Sequence, residues 1–260
     1  MRYPAHIVSA SGTPRTKSLS RAAQLLRAVA DSSDGRSASA LARATGIPRA
    51  TVGRTLRTLE DLGFVEDSHD GWVLGYELVR LAREADPHRW LVDAAYPELA
   101  ELRDDVGESA LLAVPRGRPG MEILLQLDAE RHVGVANWVG ADVPLHASSA
   151  GKLVLGDLAP SALDAWLGVE PLRRFTDRTI VDDGVLRAEL AKVRRQQWAE
   201  IADELEEGLA SISVPVRSPD GSLAGVIGLS GPTFRLGRTR RRLELPRIRA
   251  AAAAIERAVA

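Results

Sequence analysis

The chain of 260 residues contains no cysteine, which excludes disulfide scaffolds, thiol catalysis and cysteine-based zinc fingers. No apolar run approaches the roughly 20 residues of a membrane span, and the N-terminus offers no secretory apolar core. The expected location is therefore cytoplasmic, with no membrane partner. H-E-x-x-H, G-x-x-x-x-G-K-[ST] and G-x-G-x-x-G are all absent, so zincin, P-loop and dinucleotide-binding chemistry have no sequence support. The five histidines (His6, His69, His88, His132, His146) are dispersed, and neither a metal nor a cofactor is expected. What is present is ordinary for a folded chain: 45% apolar and 27% charged residues, which argues against disorder, in a length that suggests two domains.

The net charge of −1 hides an asymmetry. Residues 1–75 carry ten Lys/Arg against seven Asp/Glu, and residues 76–260 carry 24 against 28. Between 11 and 58, nine basic residues face only Asp31 and Asp34, a local net of +7. Such a field attracts a polyanion, although a solvated basic face would show the same count. The pattern around the charges decides.

Residues 1–16 are expected to form a mobile arm. Ser18 or Ser20 can cap a first helix with Leu19, Ala22, Ala23, Leu25, Leu26 and Val29 at helical spacing. A short helix from Ser37 places Ala38, Leu41, Ala42 and Ala44 inward and meets Gly46 at its C-cap. After Ile47-Pro48, a third helix runs from about Arg49 to Leu62, buries Val52, Leu56 and Leu59, and ends at Gly63. Two helices joined by about four residues with a glycine form a helix-turn-helix. The outer face of the third helix carries Arg49, Ala50, Thr51, Arg54, Thr55, Arg57 and Thr58, with no acid before Glu60. A helix of ~10–12 Å diameter fits the major groove of B-DNA, where arginine reads guanine edges and threonine meets bases or phosphates. Phe64-Val65-Glu66 and Trp72-Val73-Leu74 flank a polar tip containing Ser68 and His69, the pattern of a hairpin wing. Lys17, Ser18, Ser68 and His69 are therefore expected to meet the DNA backbone beside that helix.

From Gly75 a connecting helix is expected to run to Asp86-Pro87. Beyond it, residues 90–106 read as an amphipathic helix with Pro97 inside. Strands follow at 109–114, 121–127 and about 133–137. The polar stretch Val143-Pro144-Leu145-His146-Ala147-Ser148-Ser149-Ala150-Gly151-Lys152 leads into a helix ending near Leu158. Helices near 161–167 and 182–197 precede strands at about 209–216 and 223–230, joined by the turn Pro219-Asp220-Gly221-Ser222. A closing helix spans about 240–259. The expected class is α+β: a winged helix-turn-helix at 17–74, a linker helix at 75–89, and an antiparallel sensor-type sheet domain at 90–260.

The order SLSRAAQLLRAVAD, ALARATGIPRATVGRTLRTLEDLGFV, a short wing, GYELVRLA, VPLHASSAGKLVL, ELEEGLASISVPV and GVIGLSGP resembles the isocitrate-lyase-regulator (IclR) family of bacterial transcriptional regulators. The resemblance spans about 17–258. It implies a GAF-like C-terminal effector domain, operator DNA as partner, dimerisation through the DNA-binding domain, and often tetramers. It places a pocket for a small organic acid between the loop after Leu145-His146 and the two late strands. On that mapping Ser148, Ser149, Ala150 and Gly151 offer hydroxyls and backbone N–H groups to a carboxylate. Ser211 and Ser230 supply polar contacts beside Gly228, and Val143, Leu145 and Leu209 form an apolar wall. Ile201 and Ala202 fall where many members carry a polar or acidic residue, and Gly228 replaces a serine that some use, which implies a less polar pocket. ELEEGL is similar to the branch that senses aromatic catabolites of the β-ketoadipate pathway.

Two rival readings carry less. Ser149-Ala150-Gly151-Lys152 fits S-x-x-K, but the partner motifs S-D-N and K-T-G are absent. Gly228-Leu229-Ser230-Gly231-Pro232 nearly spells a nucleophile elbow, yet proline ends it. Catalysis is not expected. The other rival is an architectural DNA-binding protein with no effector, for which a second domain of about 170 residues is large. Lys152, one turn into its helix, is expected to be exposed.

Overall fold

A computed structural model describes residues 16–31, 35–85, 87–117 and 120–259. The expected arm at 1–16 lies almost wholly outside the described residues. The chain divides into two compact units, 1–87 and 88–260, each considered by itself.

In the first unit, α1 (Lys17–Ala30), α2 (Ala38–Thr45) and α3 (Arg49–Asp61) enclose a core of Leu25, Val29, Leu41, Ile47, Val52, Leu56, Leu59 and Val65. The N-cap of α1 is Thr16 rather than Ser18 or Ser20, and its side chain makes no capping bond. Leu19 is 71% exposed and Ala23 and Ala44 also face outward, so the inward stripe is narrower than the apolar spacing suggested. Ser37 does cap α2, its hydroxyl accepting from the Ala40 N–H at 3.2 Å, and Gly46 closes it in the left-handed region at φ 69°. Thr45 Oγ1 donates to the Leu41 carbonyl at 2.7 Å, fixing the turn that aims α3.

β1 (Val65–Ser68) and β2 (Gly71–Leu74) pair antiparallel with Ser68 opposite Gly71, leaving His69-Asp70 as the tip. The wing is pinned to the helices by a backbone bridge between Arg36 and Trp72. Gly71, at φ 121°, permits this approach, since a Cβ there would come within 2.7 Å of the Arg36 carbonyl carbon. α4 (Tyr76–Ala85) completes the unit.

In the second unit, β3 (Ser109–Arg116), β4 (Gly120–Leu127), β5 (Ala199–Ala202), β6 (Leu209–Arg217) and β7 (Leu223–Pro232) form one antiparallel sheet in the order β4-β3-β7-β6-β5. α5 (Arg89–Val106) and α9 (Arg238–Ala258) pack on one face around Leu99, Leu112, Ile212, Ile227 and Ile248. The other face is covered by α6 (Ser149–Asp157), α7 (Pro160–Leu167), α8 (Asp183–Gln196) and the chain at 128–148. Strand alternation therefore sends Ser211 and Ser213 of β6, and Gly228 and Ser230 of β7, toward this second layer.

The strand expected at 133–137 does not form. The Gln126 side chain occupies its backbone instead: Oε1 accepts from the Trp138 N–H at 3.0 Å, and Nε2 donates to the Ala136 carbonyl at 3.0 Å. A side-chain amide thus replaces a ladder, and Val133 stays 56% exposed. β5 is absent from the sequence pattern because four residues, Ala-Glu-Ile-Ala, are too few to show alternation.

Candidate functional site

The first candidate surface is the outer face of α3. With Val52, Leu56 and Leu59 buried, Arg49, Ala50, Arg54, Arg57 and Thr58 are exposed, and Thr51 and Thr55 are half-buried at its edge. Among the described residues no carboxylate pairs with Arg49, Arg54 or Arg57. Arg57 Nε reaches only the Gly53 carbonyl at 3.4 Å, so the remaining guanidinium donors point to solvent. Lys17 and Ser18 are exposed at the start of α1. At the wing, Ser68 Oγ donates to the Gly71 carbonyl at 2.6 Å, which stiffens the tip, and His69 is fully exposed beside Asp70. The arrangement is a convex cationic helix with a stiff hairpin in the same unit, chemically suited to a groove lined by phosphates.

The second candidate is buried in the second unit, where the N-terminus of α6 meets the sheet. Ser148 is the N-cap, its Oγ accepting from the Gly151 N–H at 3.2 Å and donating to the Pro144 carbonyl at 2.8 Å. That bond consumes one of the N–H groups expected to face a carboxylate. Gly151 is closely packed: a Cβ would fall 2.4 Å from Leu145 Cα. Its glycine identity lets the chain at 143–148 lie across the helix.

Ser149 reaches the sheet, with its Oγ 2.8 Å from Ser211 Oγ and 2.7 Å from Ser213 Oγ. Ser230 is the cross-strand neighbour of both Ser211 and Ser109. Ser230 is 5% accessible, and its hydroxyl bonds to no described residue but is not sealed from solvent, since Glu204 Oε2 is the one fully buried side-chain atom without a partner among the described residues. Gly228 stands opposite Ser213, and a Cβ there would approach Ser213 Oγ to 2.3 Å. The hydroxyl of Ser213 fills the space that a serine at 228 would use. Ile201 is buried beside Ser211 on the same face, whereas Ala202 points to the opposite one. Val143, Leu145, Ala150 and Leu209 are buried in the apolar cluster that surrounds these hydroxyls.

Two features escaped the sequence reading. Ser213 belongs with Ser211, and the period-two repeat Ser211-Ile212-Ser213 carried that signal. Lys152 is buried, not exposed: its side chain is 1% accessible, and Nζ donates to Glu204 Oε1 at 2.8 Å. The signal was the i, i+3 spacing that puts Lys152 on the Ser149 face of α6. Burial raises the Glu204 carboxyl above the usual carboxylate range despite Lys152. His146, whose ring Nε2 lies 2.9 Å from the Arg173 carbonyl, is shifted down, by burial first and then by the Lys152 charge. Thr179 Oγ1 donates to the Glu204 carbonyl at 2.7 Å and Thr176 Oγ1 donates to that of Asp203 at 2.5 Å. These bonds hold the β5–β6 loop against the segment before α8.

The family model for the C-terminal domain of the bacterial transcriptional regulator IclR matches residues 87–257, and that for the IclR helix-turn-helix domain matches 18–68. The Pca regulon regulatory protein of Pseudomonas putida is 31% identical over 195 residues, covering 75% of this chain and 67% of that protein. The transcriptional repressor IclR of Escherichia coli is 26% identical over 238 residues, covering 90% and 86%. Among solved structures, an IclR homologue from Microbacterium hydrocarbonoxydans complexed with 4-hydroxybenzoate superposes with a TM-score of 0.81 at 26% identity, covering 93% of this chain and 98% of that one.

Proposed function

Given that the chain belongs to the IclR family of bacterial transcriptional regulators, we propose that it is a cytoplasmic homodimer that reads an operator with α3 and responds to a small carboxylate, of aromatic-acid type, in the second unit. The observation that carries the ligand reading is the cluster of serine hydroxyls inside an apolar shell, with Ser149 bonded to Ser211 and Ser213 and Ser230 across the strand from Ser211. A serine hydroxyl with no protein partner has both its donor and its acceptor capacity open to a ligand. The pocket residues are Val143, Leu145, Ser148, Ser149, Ala150, Gly151, Leu209, Ser211, Gly228 and Ser230, with Ser213 added. Their burial means that the acid enters by displacing the covering chain at 143–148. A mostly apolar wall with few hydroxyls suits a flat acid, in line with the 4-hydroxybenzoate held by the Microbacterium homologue.

On the DNA side, Arg49, Ala50, Thr51, Arg54, Thr55 and Arg57 face the major groove, and Lys17, Ser18, Ser68 and His69 meet the backbone. One such helix covers few base pairs, so two-fold symmetry and a near-palindromic operator follow. The partner surface is the groove of ≈410 Å³ around Leu74, Tyr76 and Val79, apolar side chains that are exposed in the single chain. Light scattering at micromolar concentration should return a dimer or tetramer; a strict monomer with and without DNA would remove this part.

A thermal-shift screen of carboxylic acids tests the sensing part. An acid at 100 times its Kd should stabilise the protein by ~2.7 kcal/mol. An architectural DNA-binding protein without an effector would respond to none of them.

A further inference from the structure

We infer that the buried Lys152 is the cationic receptor for the effector's carboxylate, and that Glu204 is its resident counter-ion, which gives up that role and takes a proton when the acid binds. The inference rests on the carboxylate-pocket reading above and adds to it the charge balance of the site. Lys152 lies one turn after Ser149 on the same helix face, so the cation and the hydroxyl that reaches Ser211 and Ser213 leave the same side of α6. β5 carries Ile201 beside Ser211 and leads directly into Glu204, so the ion pair sits at the edge of the hydroxyl cluster.

Nζ lies 2.8 Å from both Oε1, to which it donates, and Oε2, which makes no hydrogen bond and is closed to solvent, so among the described residues Lys152 is the one cation that holds this buried carboxylate. An incoming carboxylate would put two anions on one buried cation, and like charges in a low-dielectric site cannot both stay ionised. Charge is conserved if the site takes one acid anion and one proton: Lys152 stays cationic, the acid stays anionic, and Glu204 becomes a neutral carboxylic acid. The surroundings favour Glu204 as the proton acceptor. Burial and the charges of Glu189 on α8 and Glu200 on β5 all oppose its ionisation, and only Lys152 supports it. The other titratable neighbour, His146, is shifted down by burial and by Lys152, and an anion on Lys152 would relieve that too, so a variant must separate the two groups.

The experiment is titration calorimetry of the full chain with 4-hydroxybenzoate and with benzoate, in buffers of different ionisation enthalpy. In wild type the heat should vary with the buffer as for up to one proton taken up per acid, and affinity should fall as pH rises through the range in which free Glu204 is ionised, by up to about tenfold per pH unit. Glu204→Gln should still bind, with the proton uptake and the pH dependence lost. In that variant the acid supplies the missing counter-ion, so its melting temperature should rise more on binding than that of wild type. Persistence of proton uptake in Glu204→Gln would place the proton on His146, or on a Lys152 left neutral without its counter-ion, and either would overturn the assignment to Glu204. Binding to wild type with no buffer dependence would also overturn it. If Ala150→Leu then blocks that binding, the pocket stands and only the counter-ion exchange falls. No binding of either acid to wild type would overturn the carboxylate reading and this inference together.

Discussion

Arg54 and Arg57 project from α3 with no acidic partner among the described residues, so their loss is expected to show in DNA binding rather than in folding. Arg54→Ala or Arg57→Ala should cost ~1–3 kcal/mol of discrimination if the side chain reads a base edge, or lower the salt slope by about one if it meets a phosphate. Operator titration across salt concentrations checks this, with the melting temperature as control; unchanged affinity and slope in both variants would remove α3 from the groove. Gly151→Ala tests the other site. Its Cβ would lie 2.4 Å from the Leu145 backbone, so overpacking should cost ~1–3 kcal/mol in denaturant unfolding. Glu200 makes a pH prediction. Burial pushes its carboxyl up, but hydrogen bonds from Arg241 and Arg242 at 2.9 and 3.0 Å more than offset this and leave it lowered. Because the folded value is depressed, the stabilisation is present above the ordinary carboxylate range and is lost as pH falls through the depressed value. Glu200→Gln should flatten that acid limb and cost about 1–4 kcal/mol at neutral pH, between the values for exposed and buried pairs.

At the scale of elements, the hinge of the wing is the sensitive joint. Gly71→Ala would strain a left-handed backbone position and push the added Cβ against the Arg36 backbone, so a loss of about 1–3 kcal/mol is expected, read as earlier melting and weaker, more salt-sensitive DNA binding. The helices of the first unit were legible because their signals are local: Val52, Leu56 and Leu59 repeat every three or four residues, and Ser37, Gly46 and Gly63 mark ends. The contacts that the pattern could not show were long-range. Nothing near 133–137 shows that Gln126 will take its backbone groups. Lys152 looks like a surface residue because its partner lies 52 positions downstream, and Ser149 meets Ser211 across 62. The hydroxyls at 149, 211 and 230 were found through resemblance to a family, and the fold brings Ser149 onto Ser211 and Ser213 with Ser230 across the strand from Ser211.

For the whole molecule, regulation requires coupling between two units, and coupling requires differential affinity. An acid that binds both states equally shifts nothing, and a tenfold change in operator affinity needs ~1.4 kcal/mol. Ala150→Leu fills the pocket without touching an arginine of α3, so it separates sensing from DNA binding. The most direct measurement is titration of an operator, selected in vitro by this protein, with and without 4-hydroxybenzoate or the best acid from the thermal screen, in wild type and Ala150→Leu. The expected result is at least a tenfold change in wild-type operator affinity on adding the acid and no change in Ala150→Leu, which keeps its basal affinity. An acid response in Ala150→Leu equal to that of wild type, or no response in either from an acid that binds, would contradict an effector pocket coupled to α3.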